Sequence, residues 1–216
     1  MKGGLACMMA ATLDFLRERG PEFGGAIGFL VTGDEEGPAV NGTVKLKLYK
    51  WSVGVGMQVA EARAQGHEPS GALAAKYKLA DKLVLAKIRD RFGGQIRYFI
   101  SGSAALNKDV ALWFSAVGMP VLEGYGLSES SAAASVNRPY LGANQAGTVG
   151  WPLPGTEFKL GEDDELLVKG PGVMQGYWNL EEETSRVLVD GWFHTGDIGA
   201  IDESGHIRIT DRKKDL

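Results

Sequence analysis

The stretch QIRYFISGSAALNKDVALWFSAVGMPVLEGYGLSES, residues 95–130, predicts a unit in which a helix connects two strands. Its first six residues favour a strand, which ends at the small residues 101–105. Asn107 is a helix-capping residue before an apolar run that ends at Gly118, and a second short strand is predicted at 120–123. Because a strand, a helix and a strand in this order usually pair as parallel neighbours, the predicted fold class is α/β.

The sequence after residue 150 changes to short alternating segments separated by turn-forming residues. This pattern predicts a small antiparallel β-subdomain, with strands at 156–160, 165–168 and 206–209. One short helix is predicted at 179–188, where Asn179 and Glu182 have the spacing of a capping box.

The stretch LAAKYKLADKLVLAKIRDRF, residues 73–92, predicts an amphipathic helix. The apolar residues on one face are Leu73, Tyr77, Ala80, Val84, Ile88 and Phe92. The basic residues expected largely on the outer face are Lys76, Lys82, Lys87, Arg89 and Arg91. One interpretation is an ordinary solvated face, and the other is attraction to an anionic membrane surface or to the phosphates of CoA.

The N-terminal part of the chain carries a different pattern. A helix is predicted at 5–19 and a buried strand at 26–32, which is followed by the adjacent carboxylates Glu35 and Glu36. Two neighbouring acids can act as a metal ligand and a general base, and a solvated acidic loop is the alternative. The character of the sequence changes near residue 47, so the predicted divisions are 1–47, 48–150 and 151–216.

Composition limits the class of protein. A net charge of −4 argues against a dedicated nucleic-acid binder and favours a small-molecule ligand. Cys7 is the only cysteine, which excludes an intrachain disulfide and a cysteine-rich zinc site. No apolar run reaches the roughly 20 residues of a membrane span. We therefore expect a soluble, cytoplasmic protein, with peripheral membrane contact as the open alternative.

Short glycine-bearing segments occur in a characteristic order, namely EGYGLSE at 123–129, GPGVMQGYW at 170–178, WFHTGD at 192–197 and DRKKDL at 211–216. Together they resemble the motifs of the adenylate-forming superfamily, and residues 48–216 resemble its long-chain fatty acyl-CoA synthetases. The resemblance implies that a carboxylate and ATP give an acyl-adenylate and pyrophosphate, after which the acyl group passes to the CoA thiol. It implies ATP or AMP, Mg²⁺ and CoA as cofactors, and a fatty acid and a nucleotide as ligands.

The resemblance gives roles to the GYGLSE segment. Tyr125 is expected to stack on adenine, and Gly124 and Gly126 let its ring lie flat against the ligand. Ser128 offers a hydroxyl to phosphate where most relatives have threonine. Glu129 is expected to help hold Mg²⁺, because this hard cation prefers oxygen ligands. Ser128 and Glu129 are therefore the predicted catalytic residues.

Other implied roles fall on residues that are far apart in the sequence. Asp197 resembles the acid that accepts both ribose hydroxyls, and Arg212 resembles the ribose-contacting arginine. Lys214 falls at the hinge about which a C-terminal domain swings. The loop that resembles the lining of the adenine and acyl pocket consists of Gly102, Ser103 and Ala104. His194 is given no role.

Residues 1–46 resemble an internal piece of the succinyl-diaminopimelate desuccinylases, which are di-zinc amidohydrolases of the M20 type. This resemblance, which implies an origin unrelated to the rest of the chain, places a general base at Glu35 and a metal ligand at Glu36. Because the other ligands of that family have no counterpart in the sequence, zinc is not expected to bind.

The phosphate loop ending in Lys-Gly and the C-terminal domain of the acyl-CoA synthetases have no counterpart in the sequence either. Both contribute to stabilising the charge on the transferring phosphate. We therefore expect a partial acyl-CoA synthetase that lacks turnover. The alternatives are a zinc-dependent desuccinylase and a non-catalytic module that binds a nucleotide or acyl ligand.

Overall fold

The structure, a computed structural model, describes residues 44–213. The predicted N-terminal helix and strand lie outside the described residues, together with Glu35, Glu36 and Lys214. The interpretations attached to these residues stay predictions.

Three helices open the described part of the chain. They are α1 (Val44–Ala64), α2 (Gly71–Ala80) and α3 (Ala86–Arg91), and a π-helical turn at Asp81–Leu85 joins α2 to α3. The helix predicted at 73–92 is thereby confirmed as one continuous helical stretch. The predicted division near residue 47 falls within α1, which runs across it without interruption. Between residues 44 and 213, no helix is both long and apolar enough to cross a membrane.

The first sheet has the strand order β1-β2-β3-β4. Its strands are β1 (Phe99–Ser101), β2 (Val121–Leu127), β3 (Ala132–Val136) and β4 (Trp151–Pro152). A fourth helix, α4 (Lys108–Ala116), connects β1 to β2, and these two strands are parallel. The remaining pairs are antiparallel. The predicted unit of strand, helix and strand is confirmed, including the cap, because the Asn107 side chain accepts from the N–H of Asp109 at 2.8 Å.

The main apolar core lies between the helices and the start of the first sheet. Its buried members are Val53, Val55, Ala80, Leu85, Ala116, Val117 and Met119, with Phe99 of β1 packed against them. The helices α1 and α4 lie so close that a Cβ on Gly56 would collide with the backbone of Ala116. Burying apolar surface contributes about 25 cal/mol per Å², so this core fixes β1 and β2 against the helices.

The second sheet is antiparallel throughout. Its strands are β5 (Glu157–Leu160), β6 (Glu165–Lys169), β7 (Leu188–Val189), β8 (Trp192–Ile201) and β9 (Ile207–Arg212). The spatial order is β5-β6-β8-β7, and β9 also pairs with β8. The predicted antiparallel subdomain is confirmed. The segment WFHTGD lies inside the long strand β8 and is not a loop beside a strand.

The strand predicted at 95–100 is only partly right, because β1 begins at Phe99. Hydrogen bonding starts there: the N–H of Phe99 donates to the carbonyl of Pro120 at 2.9 Å, and the paired register begins at Val121. Residues 95–98 precede the point at which β2 can offer partners, so local β-propensity alone does not make them a strand.

The capping box predicted at Asn179 and Glu182 is wrong. The helix α5 (Glu181–Val187) has Leu180 before its first residue, with no side-chain cap. Asn179 has a φ of +55°, and the carboxylate of Glu182 pairs with Arg186 at 2.7 Å instead. Because the helix begins at Glu181, Glu182 is its second residue and does not have the third position that a capping box needs.

The prediction that Arg89 lies on the outer basic face is also wrong. Its Nη1 donates to Asp81 Oδ1 at 2.7 Å and to the carbonyl of Val117 at 3.0 Å, so the side chain faces inward. The π-helical turn adds a residue to one helical turn and rotates the buried stripe, which now includes the fully buried Leu85. Phe92, expected on the apolar face, is 37% exposed and packs edge-on against the core residues Phe99 and Phe114.

Candidate functional site

Tyr125, Asp197 and Arg212 form one contacting group where the two sheets meet. Tyr125 lies on β2, and Asp197 and Arg212 lie opposite each other on β8 and β9. The Tyr125 hydroxyl donates to Asp197 Oδ2 at 2.6 Å, and Arg212 Nε donates to Oδ1 at 3.0 Å. Asp197 is only 4% exposed. A buried carboxylate thus has one charged and one neutral donor, each from a different strand.

The Asp197 carboxylate has capacity for further hydrogen bonds. An ionised carboxylate has about four lone-pair sites, and Tyr125 and Arg212 contact one oxygen each. Burial, and next the hydrogen bond to Asp197, raise the pKa of Tyr125, so its hydroxyl remains protonated and acts as the donor. The group can therefore accept hydrogen bonds from the hydroxyls of a ligand.

The backbone before Asp197 is fixed by Thr195 and Glu165. The Thr195 hydroxyl accepts from the N–H of Asp197 at 3.0 Å and donates to the carbonyl of Leu166 at 2.8 Å. Gly196 has a φ of +71°, a conformation that favours glycine, and its N–H donates to Glu165 Oε1 at 2.9 Å. The residues Thr-Gly of WFHTGD therefore orient the aspartate that follows them.

Glu165 also lies beside two basic side chains. Its Oε2 is 3.5 Å from Lys213 Nζ and 3.4 Å from His194 Nδ1, and Lys213 reaches Asp163 Oδ2 at 3.4 Å. The attraction of Glu165, followed by that of Asp163, raises the pKa of Lys213. Glu165 therefore connects β6, β8 and the residue that follows β9.

Glu129 lies in the 3₁₀ turn Ser128–Ser130, directly after β2. The hydroxyl of Tyr177 donates to Glu129 Oε1 at 2.8 Å, and the N–H of Met174 donates to the carbonyl of Glu129 at 2.7 Å. Burial and the bond to Glu129 raise the pKa of Tyr177, which keeps this hydroxyl a donor. The GPGVMQGYW segment therefore holds the Glu129 turn at two points.

A cleft of about 350 Å³ opens between the end of β2 and the middle of β8. Its lining includes Glu129, Glu165, Tyr177, His194, Thr195 and Lys213. This volume lies within the range typical of small-molecule sites, about 300–1,000 Å³. Trp178, the neighbour of Tyr177, is 89% exposed. The cleft thus brings Glu129, which follows the first sheet, close to Glu165 and Thr195 of the second sheet.

The loop predicted to line the adenine and acyl pocket is exposed after β1. Gly102, Ser103 and Ala104 do not belong to the lining of the cleft. Further along this loop, the N–H of Leu106 donates to Oε1 of the buried Glu123 at 3.2 Å. Glu123 Oε2 accepts from Gly147 at 3.3 Å, and burial raises the pKa of this carboxyl. Glu123 therefore fixes one end of the loop to β2.

The glycines beside Tyr125 have a packing role in the structure. A Cβ on Gly126 would collide with the backbone of Ala132 on β3. A Cβ on Gly124 would lie 3.2 Å from the carbonyl oxygen of Ser135, which is tight but closer to normal contact. The close approach of β2 and β3 requires glycine at 126, and the prediction that both glycines free the tyrosine ring for a ligand stays a prediction.

The structure brings Tyr125, Asp197 and Arg212 into direct contact and puts Glu129 in the adjoining cleft. Ser128 is exposed beside Glu129. Sequence reasoning missed Tyr177 and Glu165. Tyr177 belongs to the recognised GPGVMQGYW segment, so the motif was the available signal. Glu165, at the start of an apolar strand, had no comparable signal. Within residues 44–213, no group of three or more His, Cys, Asp or Glu side chains could hold a metal ion.

The sequence is similar to known enzymes over most of its length. The model of the AMP-binding enzyme family matches residues 54–178. A Mycobacterium tuberculosis protein named as a fatty-acid–CoA ligase, fadD11, is 41% identical over 175 residues, which cover 80% of this chain and 30% of that protein. The long-chain-fatty-acid–CoA ligase of Bacillus subtilis is 44% identical over 133 residues, which cover 56% of this chain and 24% of that protein. The chain thus spans under a third of these relatives' length.

Solved structures share the fold. The o-succinylbenzoate CoA synthetase MenE of Bacillus subtilis with the acyl-adenylate intermediate OSB-AMP has a TM-score of 0.52 and 30% identity, covering 56% of this chain and 27% of MenE. The same enzyme with ATP and magnesium has a TM-score of 0.51 and equal identity and coverage. A fatty acyl CoA synthetase of Mycobacterium tuberculosis has a TM-score of 0.50 and 33% identity, and the match covers 55% of this chain and 26% of that one. These similarities confirm the predicted fold class.

Proposed function

Because this chain belongs to the AMP-binding enzyme family, we propose that its described residues form part of the nucleotide site of a long-chain fatty-acid–CoA ligase. The observation that carries the proposal is the buried Asp197 carboxylate, which holds Tyr125 and Arg212 and retains lone pairs for more donors. Paired hydroxyls, such as those of a ribose, match an acceptor of this kind.

The ribose of the nucleotide is the proposed ligand of Asp197. Its two hydroxyls would donate to the carboxylate, and Arg212 Nε, 3.0 Å from Oδ1, holds that carboxylate in place beside the ligand. The ring of Tyr125, whose hydroxyl is held by Asp197, would offer an aromatic face to adenine. Binding therefore uses one residue from each of β2, β8 and β9.

Magnesium fits the donors at Glu129. Mg²⁺ in nucleotide enzymes is commonly held by one or two carboxylates together with substrate phosphates, and not by an all-protein cage. Glu129 supplies one carboxylate at the cleft, and the Ser128 hydroxyl beside it is exposed and available to a phosphate oxygen. When bound, the cation would neutralise charge on the phosphates of ATP.

The reaction proposed for the complete ligase activates a fatty acid in two steps, and this chain, as a part of such a ligase, is expected to lack turnover. The fatty carboxylate attacks the α-phosphorus of ATP, which releases pyrophosphate and leaves an acyl-adenylate. The thiol of CoA then attacks the acyl carbon, and AMP leaves. In this scheme Asp197, Tyr125 and Arg212 hold the nucleoside through both steps, and Ser128 and Glu129 act on the phosphate side.

Ligand-dependent thermal unfolding of the 216-residue chain tests the proposal. The ligand is a non-hydrolysable palmitoyl-adenylate analogue, and unfolding is followed by circular dichroism. At about 100 times its dissociation constant, a ligand adds roughly 2.7 kcal/mol to the free energy of unfolding. We expect the midpoint to rise by several degrees.

The Asp197→Asn variant should lose this rise, because an amide has one acceptor oxygen and cannot serve Tyr125 or Arg212 together with both ribose hydroxyls. The matched control is Asp190→Asn, since Asp190 is an exposed turn residue with a φ of +51° that asparagine also tolerates. The control should keep the full rise. An equal rise in Asp197→Asn would contradict the proposed ribose site.

A further inference from the structure

We propose that Tyr177 is a positioning residue for Glu129, so that the GPGVMQGYW segment sets the metal-binding geometry of the nucleotide site. This inference rests on the proposed function, since it concerns the carboxylate assigned to Mg²⁺. Nothing in the local sequence of the Glu129 turn indicates which way its carboxylate points. The partner that determines this comes from a segment more than 40 residues away.

The two carboxylate oxygens of Glu129 have different surroundings. Oε1 accepts the Tyr177 hydroxyl at 2.8 Å. Oε2 has no hydrogen-bond partner among the described residues, although the side chain lines the cleft. A hydroxyl donor on one oxygen restricts rotation of the carboxylate and leaves the other oxygen available to a cation.

The backbone of the Glu129 turn is held by the same segment. The N–H of Met174 donates to the carbonyl of Glu129 at 2.7 Å. Gly172 lies so close to the turn that an added Cβ would be 2.8 Å from the carbonyl oxygen of Ser130. The segment therefore fixes both the main chain and the side chain of Glu129.

Tyr177 is itself held in place by α5. Its N–H donates to the hydroxyl of Thr184 at 2.9 Å, and that hydroxyl donates to the carbonyl of Leu180 at 2.8 Å. An added Cβ on Gly176 would lie 2.8 Å from Thr184 Cγ2, so a larger residue here would require Thr184 or the chain to shift. A connected series of contacts thus runs from α5 through Tyr177 to Glu129.

In this arrangement the GPGVMQGYW segment orients the Glu129 carboxylate before a cation binds. Gly172 and Gly176 allow the segment to lie against the turn and the helix, and Tyr177 delivers one hydroxyl to the carboxylate. A free glutamate side chain would have to be ordered when the cation binds, at a cost in conformational entropy. Tyr177 removes that cost in advance, which should strengthen metal-dependent binding of ATP without changing binding of AMP.

The Tyr177→Phe variant tests the inference in the 216-residue chain, because it deletes only the hydroxyl. The measurement is the Mn²⁺ concentration that half-saturates ATP binding, obtained by calorimetry, with AMP binding measured separately in EDTA. We expect the half-saturating Mn²⁺ concentration to rise about tenfold, as for the loss of one hydrogen bond to a charged group. The AMP dissociation constant should stay within about twofold.

Two further variants separate positioning from a general structural effect. Adding Tyr177→Phe to Glu129→Gln should cause no further loss of Mn²⁺ dependence, because the carboxylate it positions has already gone. Tyr140→Phe is the matched control, since Tyr140 is 71% exposed and should leave both measurements unchanged.

The outcomes distinguish this inference from the proposed function. Failure of the unaltered chain to bind AMP would reject the nucleotide site itself. The unaltered chain could bind AMP while Tyr177→Phe changes the half-saturating Mn²⁺ concentration by less than twofold. That result would reject only the positioning role of Tyr177. Equal weakening of AMP and Mn²⁺-dependent ATP binding would also reject it, because the hydroxyl would then support the whole site. A tenfold effect confined to the Mn²⁺-dependent measurement supports it.

Discussion

Glu123 and Asp197 are both buried carboxylates, one in each sheet, yet they are held in different ways. Glu123 accepts two backbone N–H groups, from Leu106 and Gly147. Asp197 accepts two side-chain donors, Tyr125 and Arg212, and its backbone is oriented separately. Backbone donors fix loops to a strand, whereas side-chain donors can rearrange when a ligand arrives. Burial alone therefore does not distinguish Asp197, the proposed ribose ligand, from Glu123; the kind of hydrogen-bond donor does.

The largest expected effect comes from β2, the strand that carries both Glu123 and Tyr125. Gly126→Ala should lower the free energy of unfolding by about 3 kcal/mol, because its Cβ collides with the backbone of Ala132. Gly124→Ala is the matched change two residues earlier and should cost about 1 kcal/mol, because its nearest contact is 3.2 Å. Urea unfolding measures both, and equal costs would contradict the packing argument.

Glu123→Gln should lower the free energy of unfolding by about 2 kcal/mol, because an amide offers one oxygen to two backbone donors. Palmitoyl-adenylate binding should be almost unchanged in this variant. A loss of ligand-binding free energy larger than the loss of stability would show that Glu123 belongs to the ligand site, as Asp197 is proposed to.

The pH dependence of stability sharpens the Glu123 prediction. The fold raises the pKa of this carboxyl above its ordinary value of 4.5, so the native state retains the proton longer than the unfolded chain. The resulting stabilisation is complete below pH 4.5 and is lost as the pH rises through the native pKa. The free energy of unfolding of Glu123→Gln should therefore fall furthest below that of the unaltered protein near about pH 4. The difference should be smaller near about pH 7.

Tyr125→Phe should have a smaller effect on stability, about 1 kcal/mol, since Asp197 loses a donor but keeps Arg212. Chemical unfolding gives this value, and calorimetric titration with AMP gives the effect on the site. If Tyr125→Phe lowered the free energy of unfolding more than Glu123→Gln does, the hydrogen bonds of Asp197 would contribute more to stability than those of Glu123, contrary to our expectation.

The smallest expected effect on stability is that of Arg212→Lys, below about 0.5 kcal/mol, because the Arg212 side chain is 63% exposed. Lysine keeps the charge but not the fixed geometry of the guanidinium, so AMP affinity should fall about threefold. Unchanged affinity would indicate that Arg212 supplies charge alone.

The sequence predicted elements whose signals are local. Asn107 caps α4 through its own nearby N–H groups, and the turn at 161–164 separates two paired strands. It also predicted Tyr125, Asp197 and Arg212 as site residues, but only through resemblance. No spacing rule indicates that residues 72 positions apart share a hydrogen bond.

The wrong predictions concern charged side chains whose hydrogen-bond partners the sequence pattern does not identify. Arg89 faces inward because Asp81 and Val117 accept its hydrogen bonds after a π-helical turn. Glu182 pairs with Arg186 and does not cap α5. Tyr177 could not be given a role from its sequence, since its contact with Glu129 exists only once the two segments pack together.

The exposed indole of Trp178 follows directly after Tyr177, the residue proposed to position Glu129. Indole emission shifts to longer wavelength in water and is quenched by small solutes in proportion to access. A ligand that covers the indole would therefore register as a blue shift and as protection from acrylamide at this position. Trp178 is therefore an intrinsic fluorescent reporter next to Tyr177, and the Trp178→Phe variant identifies its share of the emission.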